Sequence, residues 1–302
     1  MKKRILALGL TVVLAAASLA ACGGASTKTT EKATEAAAEQ GSEKATEAAK
    51  EEKADAGELR TYKLGVNGSD HEEWEKANEL LAKDNIKVEM VEFSDYVKPN
   101  EALEDGEIDL NAFQTEIYFN NFVKERGYTD LGILAYTQVA PMGIYSSKYK
   151  SLDEATGHLI IAIPNDVTNG GRALKFLEKN GFLTLKKEAG LTPTVMDIEK
   201  YNKDVEIVEM VATQIPASLP DLSFACINNG VAKDAGLTLK NDAIVYEDYK
   251  EPDMKNYWNI IAAKKDRIES EDFQKIKKAY NSDEVKQVVL EHYDGQSIPV
   301  WD

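Results

Sequence analysis

Leu159-Ile160-Ile161-Ala162-Ile163-Pro164-Asn165-Asp166-Val167-Thr168-Asn169-Gly170-Gly171-Arg172 reads as a strand, a turn and the start of a helix. The apolar run ends at Pro164, and Ala173, Leu174 and Leu177 then recur at helical spacing until Asn180-Gly181 closes the segment. A short apolar strand feeding directly into an amphipathic helix is the unit of α/β architecture.

The same unit repeats on both sides. Tyr62 to Val66 is a strand, Asn67-Gly68-Ser69-Asp70 a turn with an N-cap, and Trp74, Ala77, Leu80 and Leu81 mark a helix face. Val88 to Phe93 is the next strand; Pro99 opens a short helix that Gly106 ends. Ile108 to Phe113 is followed by a helix carrying Ile117, Phe122 and Val123, which stops before Gly127. Further strands are Leu131 to Val139, Met142 to Ser146, Val205 to Val211, Leu222 to Ile227, Ala243 to Tyr246 and Tyr257 to Ala262, with closing helices at Ser270 to Tyr280 and Asp283 to Tyr293. This pattern predicts α/β architecture with largely parallel sheets, and more strands than one small sheet needs. Two lobes joined by crossover strands account for them, with Pro141 as a point of departure from the first sheet.

Three strand-to-helix junctions are candidate sites, because ligands of open α/β sheets bind at the carboxyl ends of strands. In the quoted stretch Asn169 is a good N-cap, and Gly170 and Gly171 allow close approach to the backbone. Arg172 behind them opposes the helix macrodipole. Either an anion lies between the free amides and the guanidinium, or Arg172 faces solvent or pairs with an acidic residue; a carboxylate is the anion that matches the guanidinium fork. At Asn111-Ala112-Phe113-Gln114-Thr115-Glu116-Ile117-Tyr118, Phe113 and Tyr118 either wall an apolar side chain or belong to the core, while Gln114 offers an amide oxygen to an ammonium. At Ile227-Asn228-Asn229-Gly230, either asparagine caps a helix or reaches a ligand.

Other chemistries find little support. The histidines are His71, His158 and His292, and neither a two-histidine zinc motif nor a Gly-x-Ser-x-Gly elbow occurs. The spacing around Gly170-Gly171 is not that of a nucleotide loop, and no cofactor or metal is implied. Of the two cysteines, Cys226 lies in an apolar strand and reads as a small buried hydrophobe.

The other cysteine fixes the compartment. Met1-Lys2-Lys3-Arg4, an apolar run from Ile5 and Leu19-Ala20-Ala21-Cys22 form the layout of a bacterial lipoprotein signal, so residues 1–21 are expected to be removed and Cys22 lipidated. Residues 22–57, rich in Ala, Glu, Lys and Thr with Glu-Lys-Ala-Thr-Glu-Ala-Ala at Glu31 and Glu43, read as a disordered tether. Its length suits a cell with a single membrane and a thick wall. Loss of Lys2, Lys3 and Arg4 takes the formal net charge from -16 to -19. Such a field argues against nucleic acid and leaves the membrane to the acyl chains.

The three junctions also resemble those of the MetQ/NlpA family of methionine-binding lipoproteins. The segments that carry the resemblance are Asp95 through Leu103, Gly106 through Gln114, Pro141-Met142-Gly143-Ile144-Tyr145-Ser146, Ile163 through Arg172, Cys226-Ile227-Asn228 and Tyr280 through Val285, spanning nearly all of Leu59 to Asp302. The resemblance implies a two-lobe periplasmic-binding-protein fold of the type II, two-crossover kind, with residues 59–140 and 229–302 as lobe 1 and 141–228 as lobe 2. It implies a receptor rather than an enzyme, which captures an amino acid, L-methionine foremost, and delivers it to an ABC permease and ATPase complex. A different amino acid or a methionine-containing dipeptide is the alternative on the same fold, and a cell-wall-associated hydrolase or structural lipoprotein the remote one. By the resemblance, Arg172 holds the carboxylate with help from Asn169, Asn228 takes the amino or carboxylate group, and Phe113 and Tyr118 line the thioether pocket. Three positions depart from the family pattern: Thr115 stands where histidine is common, Ile117 where proline is, and Ala140 where tyrosine or glutamate is.

Overall fold

The computed structural model describes residues 57–301; the expected signal, Cys22 and the tether lie outside them. Thirteen strands are present among the described residues. In chain order they are β1 (Arg60–Asn67), β2 (Ile86–Phe93), β3 (Leu110–Asn111), β4 (Leu131–Val139), β5 (Gly143–Tyr145), β6 (Leu159–Pro164) and β7 (Leu183–Leu185). There follow β8 (Ile198–Tyr201), β9 (Val205–Met210), β10 (Phe224–Ile227), β11 (Ala243–Tyr246), β12 (Trp258–Lys264) and β13 (Ile298–Pro299). They form a six-stranded sheet ordered β13-β4-β12-β3-β1-β2, a five-stranded sheet ordered β11-β5-β10-β6-β9 and a β7-β8 hairpin.

Each of the two larger sheets is the floor of one lobe. In the first, helices α1 (Glu72–Leu81), Glu271–Tyr280 and Asp283–His292 pack on one face, where Trp74 lies 4.6 Å from Tyr280 between ring centroids. On the other, α2 (Lys98–Asp105) and α3 (Glu116–Arg126) contribute Leu103 and Phe119. In the second lobe, α4 (Val167–Lys179) lays Leu174, Phe176 and Leu177 against Phe182 and Phe224, and Ile215, Leu219 and Val231 cover the opposite face. Each fully buried Leu, Ile or Phe side chain adds roughly 1.5–3 kcal/mol of transfer free energy, so both lobes carry cores of their own. Cys226 is fully buried in the second core, and burial pushes its thiol pKa up.

The sheets are less parallel than the strand–helix alternation suggests. The β1-β2, β1-β3, β6-β9 and β6-β10 pairs are parallel, but β4, β12 and β13 are antiparallel to their partners, as is β5. The cause is the crossover: the chain leaves the first sheet after β4 and returns to it through β12, so those strands run against each other. Strand pairing also moves a boundary. Residues 229–302 were expected in lobe 1, yet Ala243–Tyr246 pairs with β5 in the second sheet, and the return begins only at Trp258. An open edge on β5 accepts β11 before the chain crosses back. Between the lobes the two crossovers are tied together, with Glu247 N donating to Met142 O at 3.0 Å.

Candidate functional site

Strand β6 delivers the quoted stretch to the edge of a cavity of about 640 Å³, lined from both lobes. The helix begins one turn earlier than Asn169 would place it. Asp166, not Asn169, is the N-cap, because a short carboxylate in extended backbone reaches the amide of the third helical residue. Its Oδ1 accepts from Asn169 N at 2.8 Å and from Thr168 Oγ1 at 2.8 Å. The positive end of α4 is therefore already capped by a side-chain anion, which takes the amide of Asn169. The glycines do not open onto the cavity either. A Cβ on Gly170 would stand 2.7 Å from Pro164 O, and one on Gly171 2.9 Å from Thr192 Cα, so both permit close packing of the protein on itself.

Arg172 is 3% exposed and paired with an acidic residue. Its Nε donates to Glu247 Oε1 and Oε2 at 3.0 and 3.1 Å, and its Nη2 to Glu247 Oε2 at 2.5 Å and Ala140 O at 2.9 Å. The guanidinium lies 4.2 Å from the ring centre of Tyr257. Glu247 is held in turn by Met142 N at 2.7 Å. This answers the conflict with the macrodipole: the charge of Arg172 is neutralised by Glu247, an acidic residue of the fold itself. Nη1 makes no hydrogen bond to the described residues, and Arg172 lines the cavity, so one edge of the guanidinium remains for an anion.

At the second junction Thr115, which stands where the family commonly has histidine, caps α3, accepting from Tyr118 N at 3.3 Å. Gln114 lines the cavity, and its amide oxygen, expected to face an ammonium, already accepts a hydrogen bond within the protein. Asn100 Nδ2 donates to it at 2.7 Å, while Gln114 Nε2 donates to Asn100 Oδ1 and Asn111 Oδ1 at 2.7 and 2.8 Å. Three buried amides satisfy one another, which fixes the wall behind Phe113. Phe113 and Tyr118 stand with Tyr96 around the cavity at centroid distances of 5.9 to 6.2 Å. Tyr118 donates its hydroxyl to Tyr96 O at 3.0 Å, and burial pushes the hydroxyl pKa of both tyrosines up, so both stay neutral.

The third junction places Asn228 at the N-cap position of helix Asn229–Asp234 without a side-chain capping bond. Its Nδ2 donates to Asn169 Oδ1 at 2.7 Å, and Asn169 Nδ2 stands 3.1 and 3.0 Å from the two oxygens of Asp166. Three cavity-lining amides keep a shielded oxygen without a partner among the described residues: Asn67 Oδ1, Gln138 Oε1 and Asn228 Oδ1. An unpaired buried acceptor costs about 1–3 kcal/mol, so these oxygens call for donors. The rim is bridged between lobes by Lys233 Nζ and Asp70 Oδ2 at 2.7 Å, and by Asn229 Nδ2 donating to Gln296 O at 2.9 Å.

Of the expected site residues, Arg172, Asn169, Asn228, Phe113, Gln114 and Tyr118 all line this one cavity. Tyr96, Asn67, Gln138 and Glu247 were missed as site residues. Tyr96 sits inside a segment that carries the family resemblance, whereas Glu247 is one acid among 52 and gives no local signal. Among the described residues no group of three His, Cys, Asp or Glu side chains is arranged to hold a metal, and no helix is long and apolar enough to cross a membrane.

The family model described as NlpA lipoprotein matches residues 62–301. The D-methionine-binding lipoprotein MetQ of Escherichia coli strain K12 is 40% identical over 243 residues, covering 79% of this chain and 88% of its own. The substrate-binding protein of a methionine transporter from Streptococcus pneumoniae superposes with a TM-score of 0.75 at 37% identity, over 80% of this chain and 96% of the other. A nutrient-binding protein from Burkholderia cenocepacia, solved bound to methionine, gives 0.75 at 35% identity, over 80% of this chain and the whole of the other.

Proposed function

The chain belongs to the NlpA lipoprotein family, and on that premise we propose that it is an extracytoplasmic receptor that captures an amino acid, L-methionine foremost, between its lobes and delivers it to an ABC importer. The observation that carries this reading is the division of labour in the cavity. The remaining edge of Arg172 suits a carboxylate, the unpaired oxygens of Asn228, Asn67 and Gln138 suit an ammonium, and Tyr96, Phe113 and Tyr118 supply an apolar wall. Sulfur against aromatic edges adds about 0.3–1.5 kcal/mol, a preference that shape must complete. The relatives named above bind methionine or serve methionine transport.

Ligand favours lobe closure only so far as it binds the closed form more tightly, and contacts from both lobes to one zwitterion supply that difference. Cys22 carries the lipid that anchors the receptor to the membrane, residues 22–57 are the tether, and the permease and ATPase complex is the partner. No reaction and no cofactor are assigned to the receptor itself. A methionine-containing dipeptide is the second reading. It is favoured by the size of the cavity, about 640 Å³, and by the small Ala140 in its wall.

The test is a thermal-shift panel of amino acids and dipeptides on the full chain in detergent. A specific ligand at 100 times its dissociation constant adds about 2.7 kcal/mol to stability. L-Methionine is expected to give the largest shift. No shift with any α-amino acid or dipeptide sinks the receptor reading.

A further inference from the structure

The ammonium end of the cavity is polarised from outside it. A carboxylate only accepts hydrogen bonds, whereas an asparagine amide presents a donor at one atom and an acceptor at the other. Asp166 Oδ1 and Oδ2 stand 3.1 and 3.0 Å from Asn169 Nδ2, so the amide of Asn169 must turn its NH2 toward Asp166; the opposite orientation would set an oxygen against two anionic oxygens. Asn169 Oδ1 then faces Asn228 at 2.7 Å and requires a donor there, which only Asn228 Nδ2 provides. The Asn228 Oδ1 that results has no partner among the described residues, and Asn228 lines the cavity. Asp166 is not itself among the cavity-lining residues.

We propose that Asp166 is a positioning residue that, through Asn169, fixes the carbonyl oxygen of Asn228 as the atom offered to the ligand, and so selects an ammonium donor at that end. The proposal rests on the amino-acid receptor reading and settles a choice that the resemblance leaves open, since Asn228 can serve an amino or a carboxylate group depending on which way its amide is turned. It also reassigns Asn169 from a carboxylate contact to the middle link of the relay.

Substitution at Asp166 makes the relay invertible. In Asp166→Asn, Oδ1 keeps the helix cap and still faces Asn169 Nδ2, but an NH2 takes the place of Oδ2, so two anionic oxygens that enforce one orientation of the Asn169 amide become one neutral acceptor and one donor. Turning the Asn169 amide is then no longer opposed by two anionic oxygens, and a turned Asn169 turns the Asn228 amide in response and points Nδ2 at the ligand. Calorimetric titration of the full chain in detergent with L-methionine and with 4-(methylthio)butanoate, which lacks the ammonium, measures the outcome. The preference of the wild type for methionine is expected to fall at least about tenfold in D166N, by the logic of coupled neighbours. Asn228→Asp alone sets a carboxylate against Asn169 Oδ1, and methionine affinity is expected to fall at least about tenfold, although an added negative charge near an ammonium would by itself tighten binding. In the D166N/N228D double variant the turned Asn169 donates to the carboxylate introduced in place of the Asn228 amide, and affinity returns to within about threefold of wild type.

A preference in D166N within about twofold of wild type overturns the proposal, as does an N228D protein that binds methionine as tightly as wild type, or a double variant that shows no recovery. The N228D arm decides alone if D166N does not fold. Wild-type protein that binds neither compound overturns the methionine assignment on which these titrations rest, a result distinct from any pattern among the variants.

Discussion

Replacing Arg172 by Met removes one member of a buried ion pair and leaves the other in place. Glu247 is 9% exposed and would keep only Met142 N among the partners described for its carboxylate. Breaking such a pair costs about 3–5 kcal/mol, because a charge remains in a low-dielectric site without its counter-ion. For a folded unit of this size each kcal/mol moves the melting temperature by roughly 2–4 °C, so R172M should melt about 6–20 °C lower. Replacing both residues, as Arg172→Met with Glu247→Met, removes the stranded charge and should bring stability back to within about 2 kcal/mol of wild type. The double variant is still expected to show no methionine binding, since the guanidinium is gone. Scanning calorimetry without ligand measures the stabilities, and titration calorimetry the binding. The reasoning fails if R172M melts within about 2 °C of wild type, or if the double variant melts no higher than R172M.

Two further outcomes follow from the geometry. Gly171→Ala should lower the melting temperature: overpacking against the Thr192 backbone costs about 1–3 kcal/mol and offsets the ~1 kcal/mol that alanine gains over glycine in a helix, so a stabilised variant would contradict the packing account. Glu73 is buried beside the hydroxyl of Tyr293, which donates to it at 2.6 Å, and burial raises its pKa in spite of that bond. A carboxyl whose folded pKa lies above its unfolded value holds its proton more tightly when folded, so stability falls as pH rises through the unfolded value toward the folded one. Glu73→Gln should therefore be more stable than wild type at about pH 8, with the advantage vanishing toward about pH 4. An advantage that does not change with pH would show that the charge is not the cause.

The three strand-to-helix junctions were legible because each is written in consecutive residues. An apolar run, a turn and an amphipathic face announce β6 and α4, and the same signals place Phe113 and Asn228 just past strand ends and Tyr118 in the first turn of α3. The N-caps were less legible. Asp166 and Asn169 both have the right chemistry, and only backbone geometry decides that the helix begins at Val167. The β7-β8 hairpin was missed, since Leu183–Leu185 is too short to show a period.

What the sequence determined by itself is whatever depends on near neighbours: the alternation of elements and the segments that mark the family. The tertiary structure alone decided partners distant in sequence. Glu247 lies 75 positions from Arg172, and Asn228 59 from Asn169, so no periodicity relates them. A charge or an amide has no fixed role until the fold supplies its counterpart, because hydrogen bonds and ion pairs act over a few ångströms whatever the separation along the chain.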